Sequence, residues 1–124
     1  MLQCLGVLPG EDLDHAAMAR TLDTVLDRWD YNALWGWDFA VMAMTALRLG
    51  KSRLALEALM CVTNKNTYVA SGNNRQISRK DLPLYLPGNG SLLLAAALMA
   101  AGDCPGFRAE DGWQAAVEGL HPYF

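Results

Sequence analysis

Apolar residues recur at helical spacing along most of this chain, and the spacing breaks at a few polar or glycine-rich points. Between Leu13 and Trp29, the positions Leu13, Ala16, Ala17, Leu22, Val25, Leu26 and Trp29 form one stripe, with Asp14, Arg20, Asp23, Asp27 and Arg28 between them. That period predicts an amphipathic helix, with Glu11-Asp12 placed where a helix start favours acids. Asp30-Tyr31-Asn32 interrupts the stripe. A second helix is predicted from about Asp38 to Leu49, and Phe39-Ala40-Val41-Met42-Ala43-Met44-Thr45-Ala46-Leu47 is apolar on nearly every face. A helix of that kind is surrounded by protein. Gly50 is a natural stop. Ser52 is the expected cap of a third helix running to about Val62, with Leu54, Ala55, Ala58, Leu59 and Val62 inward. The second and third helices then form a hairpin that turns at Gly50-Lys51-Ser52.

The pattern fails from Thr63 to Ser91, a long polar stretch punctuated by glycines. Connections of that length inside a compact domain are either functional or disordered. Tyr68, Val69, Ile77, Leu82, Leu84, Tyr85 and Leu86 give it apolar anchors, which argues for an ordered loop. Ser91 then reads as the cap of a fourth helix, Leu92 to Ala101, ended by Gly102 and almost without a polar face. Its ten residues fall short of the roughly 20 that a bilayer requires, so it reads as buried. Trp113 to Glu118 fits either a short helix or a strand. Two helices apolar all round are many for so small a chain. They need cover from a partner subunit or from further parts of the same protein.

Composition narrows the partners. The 124 residues suit one domain, and 52% hydrophobic content provides a core. The net charge is −3, and no basic run or aromatic-interleaved Lys/Arg patch points to nucleic acid. Cys4, Cys61 and Cys104 are far apart and odd in number, and His15 and His121 are distant from each other. This pattern gives no metal site, cofactor site or disulfide framework. The cysteines read as small buried hydrophobes in a reducing compartment. The first residues lack a basic leader and the apolar run stops at Pro9-Gly10. That segment is too short for a signal peptide or membrane anchor, so the chain as written reads as cytoplasmic.

Candidate chemistry gathers in three places. Trp35-Gly36-Trp37-Asp38 sets two amphipathic rings beside a carboxylate. Such rings stack on sugars, and Asp38 can accept a hydroxyl hydrogen bond or a proton. The same residues equally suit a buried aromatic corner with Asp38 capping the helix. Asn64-Lys65-Asn66-Thr67-Tyr68 and Asn73-Asn74-Arg75-Gln76 supply amides that both donate and accept, as hydroxyl recognition requires, though asparagine also serves turns. Pro87-Gly88-Asn89-Gly90-Ser91 offers close backbone approach at a helix start, or simply a tight turn plus cap. No Gly-Lys-Ser/Thr ends it, which excludes a phosphate-binding P-loop.

In this order, Trp35 to Phe39, Ala43 to Ala46, Arg48-Leu49-Gly50, Lys65 to Tyr68, Gly72 to Gln76 and Leu84 to Gly90 resemble the C-terminal end of bacterial six-hairpin glycosidase-like proteins. The resemblance runs from about Leu8 to Gly106. It implies an all-α fold, with residues 1–124 forming a single domain of helical hairpins. Those hairpins would be the last part of an (α/α)6 toroid, with the long loop at a sugar-binding mouth. Trp35, Trp37, Asn66, Tyr68, Asn73, Asn74, Gln76 and Asn89 would contact a carbohydrate. Relatives of the fucosidase type carry an Asp-Gly-Asn turn before the final inner helix, and its Asp is the catalytic base. Here Pro87 stands at that position, followed by Gly88-Asn89, which leaves Asp38 as the substitute candidate. Glycoside cleavage takes two flanking carboxylates, and the general acid of such enzymes belongs to earlier hairpins. The implied function is therefore a carbohydrate-active domain that is inactive alone and needs further hairpins or a second copy. The other reading is a stand-alone helical interaction module that forms a homo-oligomer.

Overall fold

A computed structural model describes residues 1–101 together with 118–119, and the expectation for Trp113 to Glu118 lies outside that range except for Glu118 itself. The chain is mostly helical, as the apolar periodicity predicts. Its elements are α1 (Gln3–Gly6), α2 (His15–Arg28), α3 (Gly36–Arg48), α4 (Ser52–Leu59), β1 (Thr67–Tyr68), β2 (Asn74–Arg75) and α5 (Leu86–Ala101).

Helix α2 starts two residues later than its apolar stripe suggests. Asp14 is the reason, because its Oδ1 accepts the N–H groups of Ala16 and Ala17 at 2.8 and 3.1 Å. Met18, Leu22 and Val25 face the core, whereas Ala16 and Trp29 face outward. The following turn is held by Asn32 N–H on Asp30 Oδ1 (2.9 Å) and by the Tyr31 ring, edge-on to Phe39 at 5.9 Å.

Helix α3 is the axis of the molecule. Every residue from Phe39 to Leu47 is buried, and the one hydroxyl among them, on Thr45, donates to Val41 O at 2.8 Å. Helices α1, α2, α4 and α5 all pack on it. The cover that so apolar a helix demands thus comes from this chain. Gly50 ends it in the left-handed region (φ 73°), while Gly50 N–H reaches Leu47 O and Lys51 N–H reaches Ala46 O, both at 2.9 Å. These are the paired bonds of a Schellman stop.

Helix α4 returns antiparallel, with Ala55, Ala58 and Leu59 buried. It ends at Leu59, short of Val62, which is 85% exposed. Ser52 is its first residue rather than its cap, and Lys51 holds the cap position. The polar stretch that follows contains a two-stranded antiparallel ribbon, with Thr67 opposite Arg75 and Tyr68 opposite Asn74.

Helix α5 begins at Leu86, five residues before Ser91, so Pro87 to Ser91 is helix rather than a turn with a cap. Proline tolerates a first turn because its missing N–H has no helical partner there. The carbonyl of Tyr85 accepts from Gly88 N–H and Asn89 N–H at 3.1 and 3.4 Å, and Ser91 Oγ donates to Gly88 O at 3.1 Å. Ala95, Leu98 and Met99 face inward, whereas Leu86 (65% exposed) and Leu93 (69% exposed) face outward. Helix α5 is therefore covered on one side only. It runs parallel to α3, since the two packed helices start together, with Gly36 and Gly88 both against Asn74 and Trp35 stacked on Tyr85. Cys4 is exposed and Cys61 half-buried, so neither is the fully buried hydrophobe that its sequence context suggested; Cys104 lies outside the described residues. No helix among the described residues is long and apolar enough to cross a membrane.

Candidate functional site

Two aromatic residues immediately precede the two parallel helices, Trp35 before α3 and Tyr85 before α5. Their rings stack with centroids 5.6 Å apart and planes 23° from parallel. Trp35 remains 38% exposed. Its backbone enters α3 through a reciprocal cap: Trp35 N–H donates to Asp38 Oδ2 at 2.8 Å, and Asp38 N–H donates to Trp35 O at 3.0 Å. Burial pushes the Asp38 carboxyl above the usual carboxylate range, against the opposing pull of the Trp35 N–H. Burial also raises the Tyr85 hydroxyl, and the charge of Asp38 raises it further.

Two cations flank the stack. Lys65 Nζ lies 5.3 Å from the Trp35 ring centroid and Arg79 Cζ lies 5.9 Å from it. Arg79 is also gripped by Asp81, with Nε to Oδ1 at 2.9 Å and Nη2 to Oδ2 at 2.7 Å. That fork holds the Asp81 carboxyl down to about 2.

Beneath the stack lies an amide cluster. Asn74 and Gln76 are fully buried. Gln76 Nε2 donates to Lys65 O at 2.9 Å and to Asn74 Oδ1 at 3.0 Å, and Asn74 Nδ2 faces Lys65 O and Thr67 O at 3.4 and 3.5 Å. Gln76 Oε1 is buried with no hydrogen-bond partner among the described residues. The cluster sits against the starts of both helices. An ideal Cβ on Gly36 would come within 2.5 Å of Asn74 Oδ1, and one on Gly88 within 2.7 Å of the same atom. Only glycine permits that approach.

The remaining polar side chains tie the loop down. Asn66 is buried, and its Nδ2 donates to Leu59 O (3.0 Å) and Cys61 O (2.8 Å), closing the C-terminal end of α4. Asn89 clamps the ribbon by accepting Asn74 N–H on Oδ1 (2.9 Å) and donating from Nδ2 to Gly72 O (2.8 Å). Tyr68 OH donates to Gly88 O at 3.3 Å. Burial raises this hydroxyl, and a hydrogen bond with Asn74 partly offsets the rise. Asn73 Nδ2 donates to Ser71 Oγ at 3.1 Å, out in the ribbon turn.

The structure thus gathers Trp35, Asp38, Tyr68, Asn74, Gln76 and Asn89 about the starts of α3 and α5. Trp37 lies apart from the stack. It is 39% exposed and lines a cleft of about 300 Å³ with Val41, Met44, Pro87 and Leu94. Asn66, Asn74 and Gln76 are buried against backbone carbonyls, whereas Trp35 and Trp37 are exposed and Asp38, Tyr68, Asn73 and Asn89 are half-buried. Sequence reasoning did not single out Lys65, Arg79 or Tyr85 as site residues. A signal for the cations existed: residues 61–91 hold Lys65, Arg75, Arg79 and Lys80 against one acid, Asp81, in a chain of net charge −3. Among the described residues, no three His, Cys, Asp or Glu side chains come together as a metal site would need. Comparison with family models, with curated proteins and with solved structures gives no match.

Proposed function

We propose that this chain is a carbohydrate-binding part of a glycosidase-like helical domain, with its sugar contacts at the starts of α3 and α5. One observation carries the reading: Trp35, stacked on Tyr85 and 38% exposed, stands beside Asp38, whose carboxylate has accepting capacity beyond its bond to Trp35 N–H. A sugar ring offers an apolar C–H face and a rim of hydroxyls. A flat aromatic surface beside a carboxylate answers both. The parallel run of α3 and α5 across the antiparallel α4 supports the hairpin repeat that the sequence resemblance implies. In this reading the ribbon is a rigid support whose amides hold the platform in place, while Trp35, Trp37 and Asp38 meet ligand. Asp38 is the candidate general base, its raised carboxyl closer to working pH than an ordinary aspartate. Its partner acid would come from further hairpins, so the chain alone binds without cleaving.

The test is a tryptophan-fluorescence titration of the chain over a varied glycan panel. Saturable quenching in the parent, lost in Trp35→Ala with the fold intact by circular dichroism, supports the proposal. A flat response across the panel rejects it. The second reading, a helical module that forms a homo-oligomer, draws on the outward Leu86 and Leu93 of α5. Light scattering decides it, and a monomer at high micromolar concentration would count against that module.

A further inference from the structure

The ligand's charge is open in the proposal above, and the surroundings of Trp35 bear on it. Lys65 and Arg79 both lie against one indole. A cation over an exposed aromatic ring gains a little from the ring's quadrupole, which accounts for one such contact better than for two like charges together. Asp81 answers the charge of Arg79 through its two-pronged contact. Lys65 forms no ion pair with any described residue. Its ammonium lies over the Trp35 ring, 5.3 Å from the centroid, with three donors and no carboxylate partner among the described residues. The local balance agrees. Residues 61–91 carry four cations and one acid, while the remainder of the chain carries six cations and twelve acids. The stretch with the most cations in excess of acids is thus the one that borders the platform.

We infer that the platform takes a sugar bearing an oxyanion, a uronic-acid carboxylate or a sulfate ester, held by Lys65 while the ring lies on Trp35. The inference rests on the carbohydrate reading and specifies its ligand class. The exposed part of the indole meets the sugar, and the ammonium beside it selects the acidic substituent, since a charge-assisted hydrogen bond is roughly twice as strong as a neutral one. Asp38, whose Oδ2 accepts the Trp35 N–H, repels an anion that approaches its side. The acidic group therefore points toward Lys65 and away from Asp38, with the hydroxyls toward Asp38.

The experiment is calorimetry on the whole chain with three matched oligosaccharides: uronate-terminated, sulfated, and their neutral parent. The result expected is that at least one acidic form binds about tenfold tighter than the neutral form, with an advantage that shrinks as salt rises. The uronate and sulfate arms show which oxyanion the site takes. Lys65→Met, which keeps the aliphatic length over the indole, is expected to bring acidic affinity down to the neutral value. Equal binding of acidic and neutral forms by the parent overturns the inference and leaves the carbohydrate reading standing. An acidic-to-neutral ratio that Lys65→Met does not change overturns it as well. Binding of none of the three, alongside a flat glycan panel, removes the carbohydrate reading and the inference with it.

Discussion

The carboxamide of Asn74 fills the space that a β-carbon on Gly88 would occupy, with Cγ and Oδ1 each 2.7 Å from that position. Helix propensity alone makes Gly88→Ala favourable by up to about 1 kcal/mol. Overpacking against a fully buried amide costs about 1–3 kcal/mol, so the contact wins and the substitution destabilises. In a double-mutant cycle with Asn74→Ala, the pair should be less destabilised than the sum of the singles, with a coupling of roughly 0.5–3 kcal/mol. Urea unfolding of the four proteins checks this, and strict additivity would show that the two residues do not share the space.

Asn66 should matter to stability through α4 rather than through ligand. Asn66→Ala leaves Leu59 O and Cys61 O without their side-chain donor, at about 1–3 kcal/mol. Asn66→Asp should cost more than Ala, because it points a second acceptor at two carbonyl oxygens. The measurement is the shift in denaturation midpoint, and a substitution without effect would mean that water caps the helix equally well.

Asp38 sets a pH dependence of definite sign. Its folded carboxyl sits above the ordinary 3.8 because burial disfavours the charge. The stability it contributes is present in full below 3.8 and is lost as pH rises through its folded value. Asp38→Asn keeps an acceptor for Trp35 N–H and removes the charge. Its stability relative to the parent should therefore improve from acid to neutral pH. The same substitution should bring the Tyr85 hydroxyl down toward 10.0 in a spectrophotometric titration, since the charge of Asp38 helps to raise it.

Arg79→Gln should release Asp81. The carboxyl held down to about 2 by the guanidinium is expected to titrate close to 3.8, read by NMR at the Asp81 side chain. A depressed carboxylate stabilises above 3.8 and loses that contribution as pH falls toward about 2. Both side chains are exposed, so the change in global stability should be small while the titration shift is large. A carboxyl that stays near 2 in the variant would show that backbone N–H groups, and not Arg79, hold it down.

The run Phe39 to Leu47 has no polar face, and burial all round follows directly from that. The stop at Gly50 was equally plain, because only a left-handed residue makes that turn cheaply. The start of α5 was hidden. Pro87, Gly88 and Gly90 are the residues of a turn, and the need for glycine at 88 comes from the approach of Asn74, a contact between segments distant in the chain. The amides of Asn66, Asn74 and Gln76 carried a second ambiguity. Groups suited to sugar hydroxyls are equally suited to backbone carbonyls, and only their burial, 6% exposed for Asn66 and 0% for the other two, shows which they meet here.

The Trp35–Tyr85 stack also gives the protein an optical signature of its own. Two chromophores 5.6 Å apart, one at the entrance of each parallel helix, couple only while α3 and α5 are docked. Their near-ultraviolet circular dichroism reports that docking, whereas the far-ultraviolet signal reports helix content wherever the helices lie. A state in which the first signal vanishes and the second persists would be one where α5 and the ribbon have swung away from an intact α3. The platform would then be lost before the fold is.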